Sequence, residues 1–396
     1  MSRETFRILR QMLMERLDLS RELSDQEILD AIDELILNHM RDSCLSLKEK
    51  VQLRQELFYS VRKLDVLQEL IEDESVTEIM VNGPDSIFVE RGGKLTKWCK
   101  TFTSRDKLED VIQQIVGKCN RVVNESMPIV DARLENGARV NAVIYPVALN
   151  GPILTIRRFP DQPVTMEKLI SLGSISKECA EFLAALVKAR YSMVIGGGTG
   201  SGKTTFLGAL SEYIPKDERI ITIEDNAELK IQGIDNLVRL EAKLANTEGA
   251  ASVSIRDLIK TALRMRPDRI VVGEVRGGEA MDMLQALNTG HEGSLSTAHA
   301  NSSRDMLSRL ETMTLMGVEL PLEAIRRQIA SGVDILIHLG RMRDKSRKVL
   351  EITEVCGYEN NEIEIRPLYQ WQEGKGLVQT APLCHLEKLE RAGVTI

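Results

Sequence analysis

Over residues 1–62 the apolar side chains recur at helical spacing. Ile28, Ile32 and Ile36 fall on one stripe with Leu29 and Leu35 beside it, and neither Gly nor Pro interrupts the segment. The pattern predicts two or three packed helices, with Ser24 and Glu27 as a capping box for the second and Ser46 capping the third. The polar faces mix both charge signs, so the stripes read as a bundle core or a docking face rather than a membrane anchor. From 63 to 160 the pattern becomes mixed α/β. Val76–Asn82 and Ser86–Glu90 read as strands around a Gly-Pro turn, Arg91-Gly92-Gly93-Lys94 as the next hairpin loop, and Ser104–Gly117 as a helix. Residues 161–175, polar at first and containing Pro163, read as a hinge. The remainder, 176–396, reads as a second domain with buried-type strands at Met193-Val194-Ile195, Ile221-Thr222-Ile223 and Arg269-Ile270-Val271-Val272.

Chemistry gathers at the ends of those strands. The first runs into Gly196-Gly197-Gly198-Thr199-Gly200-Ser201-Gly202-Lys203-Thr204-Thr205 and then a helix-like stretch from Phe206 to Tyr213. The G-x-x-x-x-G-K-[ST] frame spans Gly197 to Thr204. Its glycines let successive backbone N–H groups curl around an anion at a helix N-terminus, with Lys203 between the β- and γ-phosphates and Thr204 on Mg²⁺. Nucleotide is thus expected on Gly197, Gly198, Thr199, Gly200, Ser201, Gly202, Lys203, Thr204 and Thr205.

The second strand ends in Glu224, Asp225 and Glu228, carboxylates suited to activating water or holding Mg²⁺. The third ends in Gly273-Glu274, which resembles a Walker B element with Gly in place of the usual Asp, so that Glu274 is expected at a Mg²⁺-bound water. The segment from Thr289 to Asn301 then holds two of the five histidines, His291 and His299. With no Cys nearby and no i, i+4 spacing they do not read as a zinc pair. A neutral imidazole that bonds the γ-phosphate and reports its loss is the alternative, assigned to His299 with His291 as its companion.

In this order, the loop, acidic box, Glu-terminated strand and double-His box resemble the ATPases of type II and type IV secretion systems and type IV pili. The CpaF-like branch that drives tight-adherence pili is especially similar. Val76-Thr77-Glu78-Ile79-Met80-Val81-Asn82-Gly83, Ala132-Arg133-Leu134, Gly137-Ala138-Arg139-Val140-Asn141-Ala142 and Leu154-Thr155-Ile156-Arg157-Arg158-Phe159 also look like that branch's N-terminal domain. The resemblance covers roughly residues 65–360. It implies an α/β fold in which a RecA-like P-loop NTPase domain follows a mixed α/β, PAS-like domain and the helical bundle. It also implies Glu228 as catalytic base, and Arg133, Arg139, Arg157 and Arg158 as clamps that close over ATP. Strand alternation keeps Arg157 and Arg158 from facing the same way, so one of them is expected to be a structural ion-pair partner. A homohexamer working on an inner-membrane platform protein, to assemble pili or secrete protein, is implied as well.

Composition narrows this picture slightly. With 396 residues the chain exceeds one ordinary core. A net charge of -7 gives no footprint for nucleic acid, and none is expected as a partner. No apolar run approaches the roughly 20 residues that span a bilayer, and Met1–Arg10 is too polar for a signal peptide, so the expected location is the cytoplasm, at the inner face of the membrane. Six cysteines, Cys44, Cys99, Cys119, Cys179, Cys356 and Cys384, contain no C-x-x-C and read as thiols in a reducing compartment. Many type II secretion ATPases carry a four-Cys zinc module, so its absence favours the CpaF-like branch. Two alternatives stay open: a conjugative type IV traffic ATPase with the same motor, and a nucleotide-dependent switch or kinase without mechanical output.

Overall fold

The computed structural model describes residues 3–17, 21, 23–39, 46–134, 136–158, 163–243 and 252–396. Cys44, Phe159 and the first two positions of the expected hinge lie outside them. The chain divides into two compact units, Met1–Pro160 and Asp161–Ile396.

The first unit opens with α1 (Arg3–Arg16), α2 (Asp25–His39) and α3 (Leu47–Arg62). Their stripes meet in one core built on Leu9, Leu13, Ile32, Leu35 and Leu57. Both expected caps form: Ser24 and Glu27 exchange side-chain and backbone bonds at 2.8 and 3.3 Å, as do Ser46 and Glu49. Next come α4 (Val66–Glu72), β1 (Val76–Asn82), β2 (Ile87–Arg91), β3 (Lys94–Lys97), α5 (Arg105–Lys118), β4 (Ile129–Arg133), β5 (Arg139–Val143) and β6 (Ile153–Arg157). The strands form an antiparallel sheet ordered β3-β2-β1-β6-β5-β4, and Ile79, Val81, Val89, Val140 and Ile156 join the α5 residues Leu108, Ile112 and Ile115 in a second core.

The bundle is not the separate body expected from a boundary at residue 62. Lys100 pairs with Glu56 at 2.8 Å, and Lys107 Nζ donates to the Ser60 carbonyl at 2.8 Å, so polar groups late in α3 hold it to the segment around α5.

The second unit contains α6 (Met166–Ser171), α7 (Lys177–Lys188), β7 (Met193–Gly197), α8 (Lys203–Ser211), β8 (Ile220–Glu224), β9 (Leu237–Glu241), α9 (Ile255–Ala262), β10 (Arg269–Val275), α10 (Glu279–Asn288), β11 (Leu295–Ala298), α11 (Ser303–Gly317), α12 (Leu322–Gly332), β12 (Ile335–Arg341), β13 (Arg347–Glu359), β14 (Glu362–Gln372), β15 (Gly376–Gln379) and α13 (Glu387–Ala392). Its sheet is ordered β15-β14-β13-β12-β7-β11-β10-β8-β9, parallel from β12 to β9 and antiparallel from β13 onward. Hydrophobic cores cover both faces, which is why β7 and β8 are buried at every position and read as unbroken apolar runs. The region read as a hinge is corrected here. Met166 and Leu169, one helical turn apart on α6, are buried in the core of this unit, so 166–175 is structure rather than linker.

Arg269 at the head of β10 is fully buried. Its guanidinium grips Glu218 at 2.6 and 2.9 Å and donates to the Val187 carbonyl at 2.6 Å, tying β10 to α7 and to the approach to β8. Removing Arg269 leaves the buried Glu218 only the more exposed Arg190 at 3.3 Å, and breaking a buried pair costs about 3–5 kcal/mol. Arg269→Ala is expected to destabilise this unit by about that much, read as a lower urea midpoint with an unchanged slope.

Candidate functional site

Parallel strands deliver their C-terminal ends to one edge of the sheet, and the expected chemistry collects there. At the end of β7, a Cβ on Gly197 would lie 2.5 Å from Ser201 Oγ and 2.6 Å from the Leu339 carbonyl, so no side chain fits. Gly202 turns the chain into α8 with a left-handed φ of 93°, open to glycine at little cost. The crown of the loop, Gly198, Thr199 and Gly200, is exposed, while Thr204 and Thr205 are half-buried. The first N–H groups of α8, which begins at Lys203, have no partner within the helix and point outward as an anion cradle.

Lys203 is nearly buried. Its ammonium donates to the Gly197 and Gly198 carbonyls at 3.1 and 3.3 Å and lies 3.3 Å from His299 Nδ1. Burial pushes its pKa down, and Glu274 pulls the other way. An ammonium cannot accept a hydrogen bond, so Nδ1 offers its lone pair and the imidazole proton sits on Nε2. That nitrogen comes within 2.8 Å of Glu274 Oε1 without aligning as a hydrogen bond, and Oε1 stays buried and unpaired. Oε2 accepts from Arg276 at 2.7 Å. His299 has its pKa lowered, chiefly by burial, with Glu274 opposing, which keeps it neutral near pH 7.

Glu224 at the end of β8 is also buried. Its Oε2 accepts the backbone N–H groups of Glu228 and Leu229, both at 2.8 Å, and so shapes the acidic loop, while Oε1 has no partner. Burial pushes its carboxyl up to about 7, against those two bonds. Glu228 itself is half-buried. A Cβ on Gly273 would lie 2.9 Å from Glu224 Cγ, which explains glycine where Walker B elements carry Asp: the neighbouring strand's glutamate fills that space.

His291 is not brought to the phosphate loop. It precedes β11, whose first residue pairs with Met193 at the start of β7, whereas His299 follows the end that pairs with Gly196. The length of the strand, on the order of 10 Å, separates the two histidines. His291 Nδ1 instead lies 3.2 Å from the Ala286 carbonyl near the end of α10.

The four arginines lie in the first unit and divide by partner. Arg158 donates to the Ile71 and Asp73 carbonyls at 3.2 and 2.6 Å, so the structural member of its pair holds backbone rather than a carboxylate. Arg133 Nε bonds the Gly137 carbonyl of its own hairpin at 3.2 Å. Arg139 and Arg157 face each other across β5 and β6, with Asp131 3.9 Å from Arg139 and Glu78 paired in register with Arg157. Two residues escaped sequence reading. Arg276, only two positions beyond Glu274, was detectable as a cation beside an acid. Arg347 Nε donates to the Gly200 carbonyl at 3.0 Å, and a partner 147 positions away leaves no local signal.

A hard divalent cation prefers oxygen ligands, and the buried Glu274 Oε1, which accepts no hydrogen bond, is an oxygen of that kind.

A family model described as "Type II/IV secretion system protein" matches residues 61–375. The chain belongs to that family. A Mycobacterium tuberculosis protein named for conjugal transfer is 35% identical over 326 residues, covering 81% of this chain and 91% of that one. The type IV secretion system protein VirB11 of Bartonella quintana is 31% identical over 332 residues, covering 73% and 91%. The ATPase DotB of Legionella pneumophila superposes with a TM-score of 0.51 at 22% identity, over 74% of this chain and 80% of that one, in keeping with a RecA-like second unit after a mixed α/β first unit.

The raised pKa of Glu224 makes a pH prediction. Folding favours its protonated form, so its contribution to stability is complete below its unfolded pKa near 4.5 and is lost as pH rises through about 7. Glu224→Gln, which stays neutral, is expected to be less stable than or equal to wild type at pH 5 and to gain on it by pH 8. Thermal melts of both proteins across that range check the crossing trend, and parallel curves would refute the buried acid.

Proposed function

We propose that the chain is an ATPase that powers export: a homohexameric motor on the cytoplasmic face of the inner membrane, acting on a platform protein to assemble a pilus or secrete protein. The observation that carries the reading is the linked set Lys203, His299, Glu274 and Arg276 beside a phosphate loop, in a member of the secretion family. ATP would draw the Lys203 ammonium off its own loop carbonyls and onto the β- and γ-phosphates. That movement takes the donor away from His299 Nδ1, and an imidazole that then carries its proton on Nδ1 would donate to the γ-phosphate and so sense it. Glu228 orients the attacking water. Thr204 and Glu274 would hold Mg²⁺, which would neutralise charge on the transferred phosphoryl group. Arg158 is committed to the Ile71 and Asp73 carbonyls, and Arg133, Arg139 and Arg157 are the candidates to close over the nucleotide.

The finer assignment to a CpaF-like pilus motor rests on the N-terminal phrases quoted above. A second reading, a conjugative type IV traffic ATPase, is favoured by the relatives named for conjugal transfer and type IV secretion. Among the described residues no helix is long and apolar enough to cross a membrane, so a membrane role would run through a partner.

Lys203→Ala is expected to reduce steady phosphate release to below a tenth of wild type, since a fixed charge on the transferred group is worth several kcal/mol, on the order of 3. Release by wild type without an added acceptor would exclude a kinase. Glu228→Gln should hold ATP yet turn over poorly, and Glu224→Gln should lose less. The reverse ranking would move the base to Glu224 while leaving the family intact. His299→Ala is expected to change ATP affinity by about 1 kcal/mol or less, the worth of one neutral hydrogen bond, while uncoupling hydrolysis from export. Fluorescent-nucleotide titration beside an export assay separates the two effects.

A further inference from the structure

The first unit contains a cavity of about 340 Å³ that the nucleotide motifs do not touch. It lies where α3 and α4 meet the segment between β3 and α5. Its wall carries four acidic side chains, Glu49, Glu56, Asp65 and Glu69, and one lining cation, Lys100, while Lys107 and Arg10 act on Asp65 from outside the lining. Lys100 Nζ is held between Glu56 at 2.8 Å and Glu69 at 2.6 Å, so the wall already coordinates one ammonium.

Asp65 is the unmet group. It is 5% exposed, and its Oδ2 accepts no hydrogen bond. Burial raises its pKa despite the opposing pull of Lys107 on α5 and Arg10 on α1, with Glu56 adding to the rise. It also holds a left-handed φ of 53°, a conformation few non-glycine residues adopt. A buried carboxylate oxygen without a donor is costly, and a bound donor would relieve it.

The cavity favours an organic cation over a metal ion. Among the described residues no three acidic, His or Cys side chains converge closely enough to hold a metal. Phe6, Leu53 and Val66 add apolar wall between the acids, which suits methylene groups.

We propose that this cavity binds an alkylammonium chain, its ammonium between Asp65 and Glu69 and its methylenes along Phe6, Leu53 and Val66. A free linear polyamine and a lysine side chain of a partner protein present the same chemistry, and the site accepts either on these grounds. The proposal is independent of the ATPase reading.

Titration calorimetry of the full chain with spermidine, at constant ionic strength, tests it. A capped lysine tripeptide and MgCl₂ form parallel arms. Saturable one-site binding of spermidine or of the tripeptide is expected, weakened at least about tenfold by Glu69→Gln and by Asp65→Asn. Spermidine binding alone assigns the site to a free polyamine, and tripeptide binding alone assigns it to a partner's lysine. Glu69 is half-exposed, so its variant remains informative should Asp65→Asn fail to fold. Identical isotherms for wild type and Glu69→Gln, no saturable binding of either ammonium, or equal competition by MgCl₂ would overturn the proposal.

Discussion

A parallel sheet covered on both faces leaves its strands no solvent side, and this constraint arranges everything else in the second unit. β7, β8 and β11 are buried at every position, and charged groups such as Glu224 and Glu274 lie at or near strand ends. Parallel pairing from β12 to β9 brings all the C-terminal ends to one edge. Gly197, Glu224, Glu274 and His299 therefore meet although they come from β7, β8, β10 and β11. Packing at that edge is tight: Ser201 and the Leu339 carbonyl crowd Gly197, and the Glu224 side chain crowds Gly273.

Crowding charges at this edge creates the site's electrical character. Lys203 has carbonyls and a neutral imidazole for company, and Glu274 has one oxygen bonded by Arg276 and one that lies 2.8 Å from His299 Nε2 without a hydrogen bond. Glu224 is held largely by burial near neutrality, with its hydrogen bonds spent on shaping the loop that presents Glu228. These groups are poised rather than satisfied. Under the proposed function, arriving phosphate would draw Lys203 from its loop carbonyls and from His299 in one movement. The first unit shows the same habit at Asp65, an acid left without a donor beside a cavity.

The helices, their caps and the strand runs were legible because each depends on neighbours within a few positions. Ser24 with Glu27, and Ser46 with Glu49, could be read from spacing alone, as could the phosphate-loop frame, whose purpose is carried by contiguous backbone. Where the reading failed, a partner lay far along the chain. The stretch read as a hinge contains Met166 and Leu169, whose partners in the core are supplied by α7 and by strands that follow. His291 and His299 looked like a pair because they are eight positions apart. The strand between them sends them to opposite ends of the sheet.

By itself, the sequence determined the identity of the chemical groups: an anion-binding loop, acids at strand ends, an imidazole able to stay neutral, and a helical N-terminus. Local hydrogen bonding and apolar periodicity suffice for those. Tertiary structure decided which of them act together. It set Glu224 to build the acidic loop, placed His299 between Lys203 and Glu274, committed Arg158 to carbonyls of its own unit, and brought Arg347 to Gly200. Those outcomes depend on strand order and burial, which fix distances between residues that no spacing in the chain encodes.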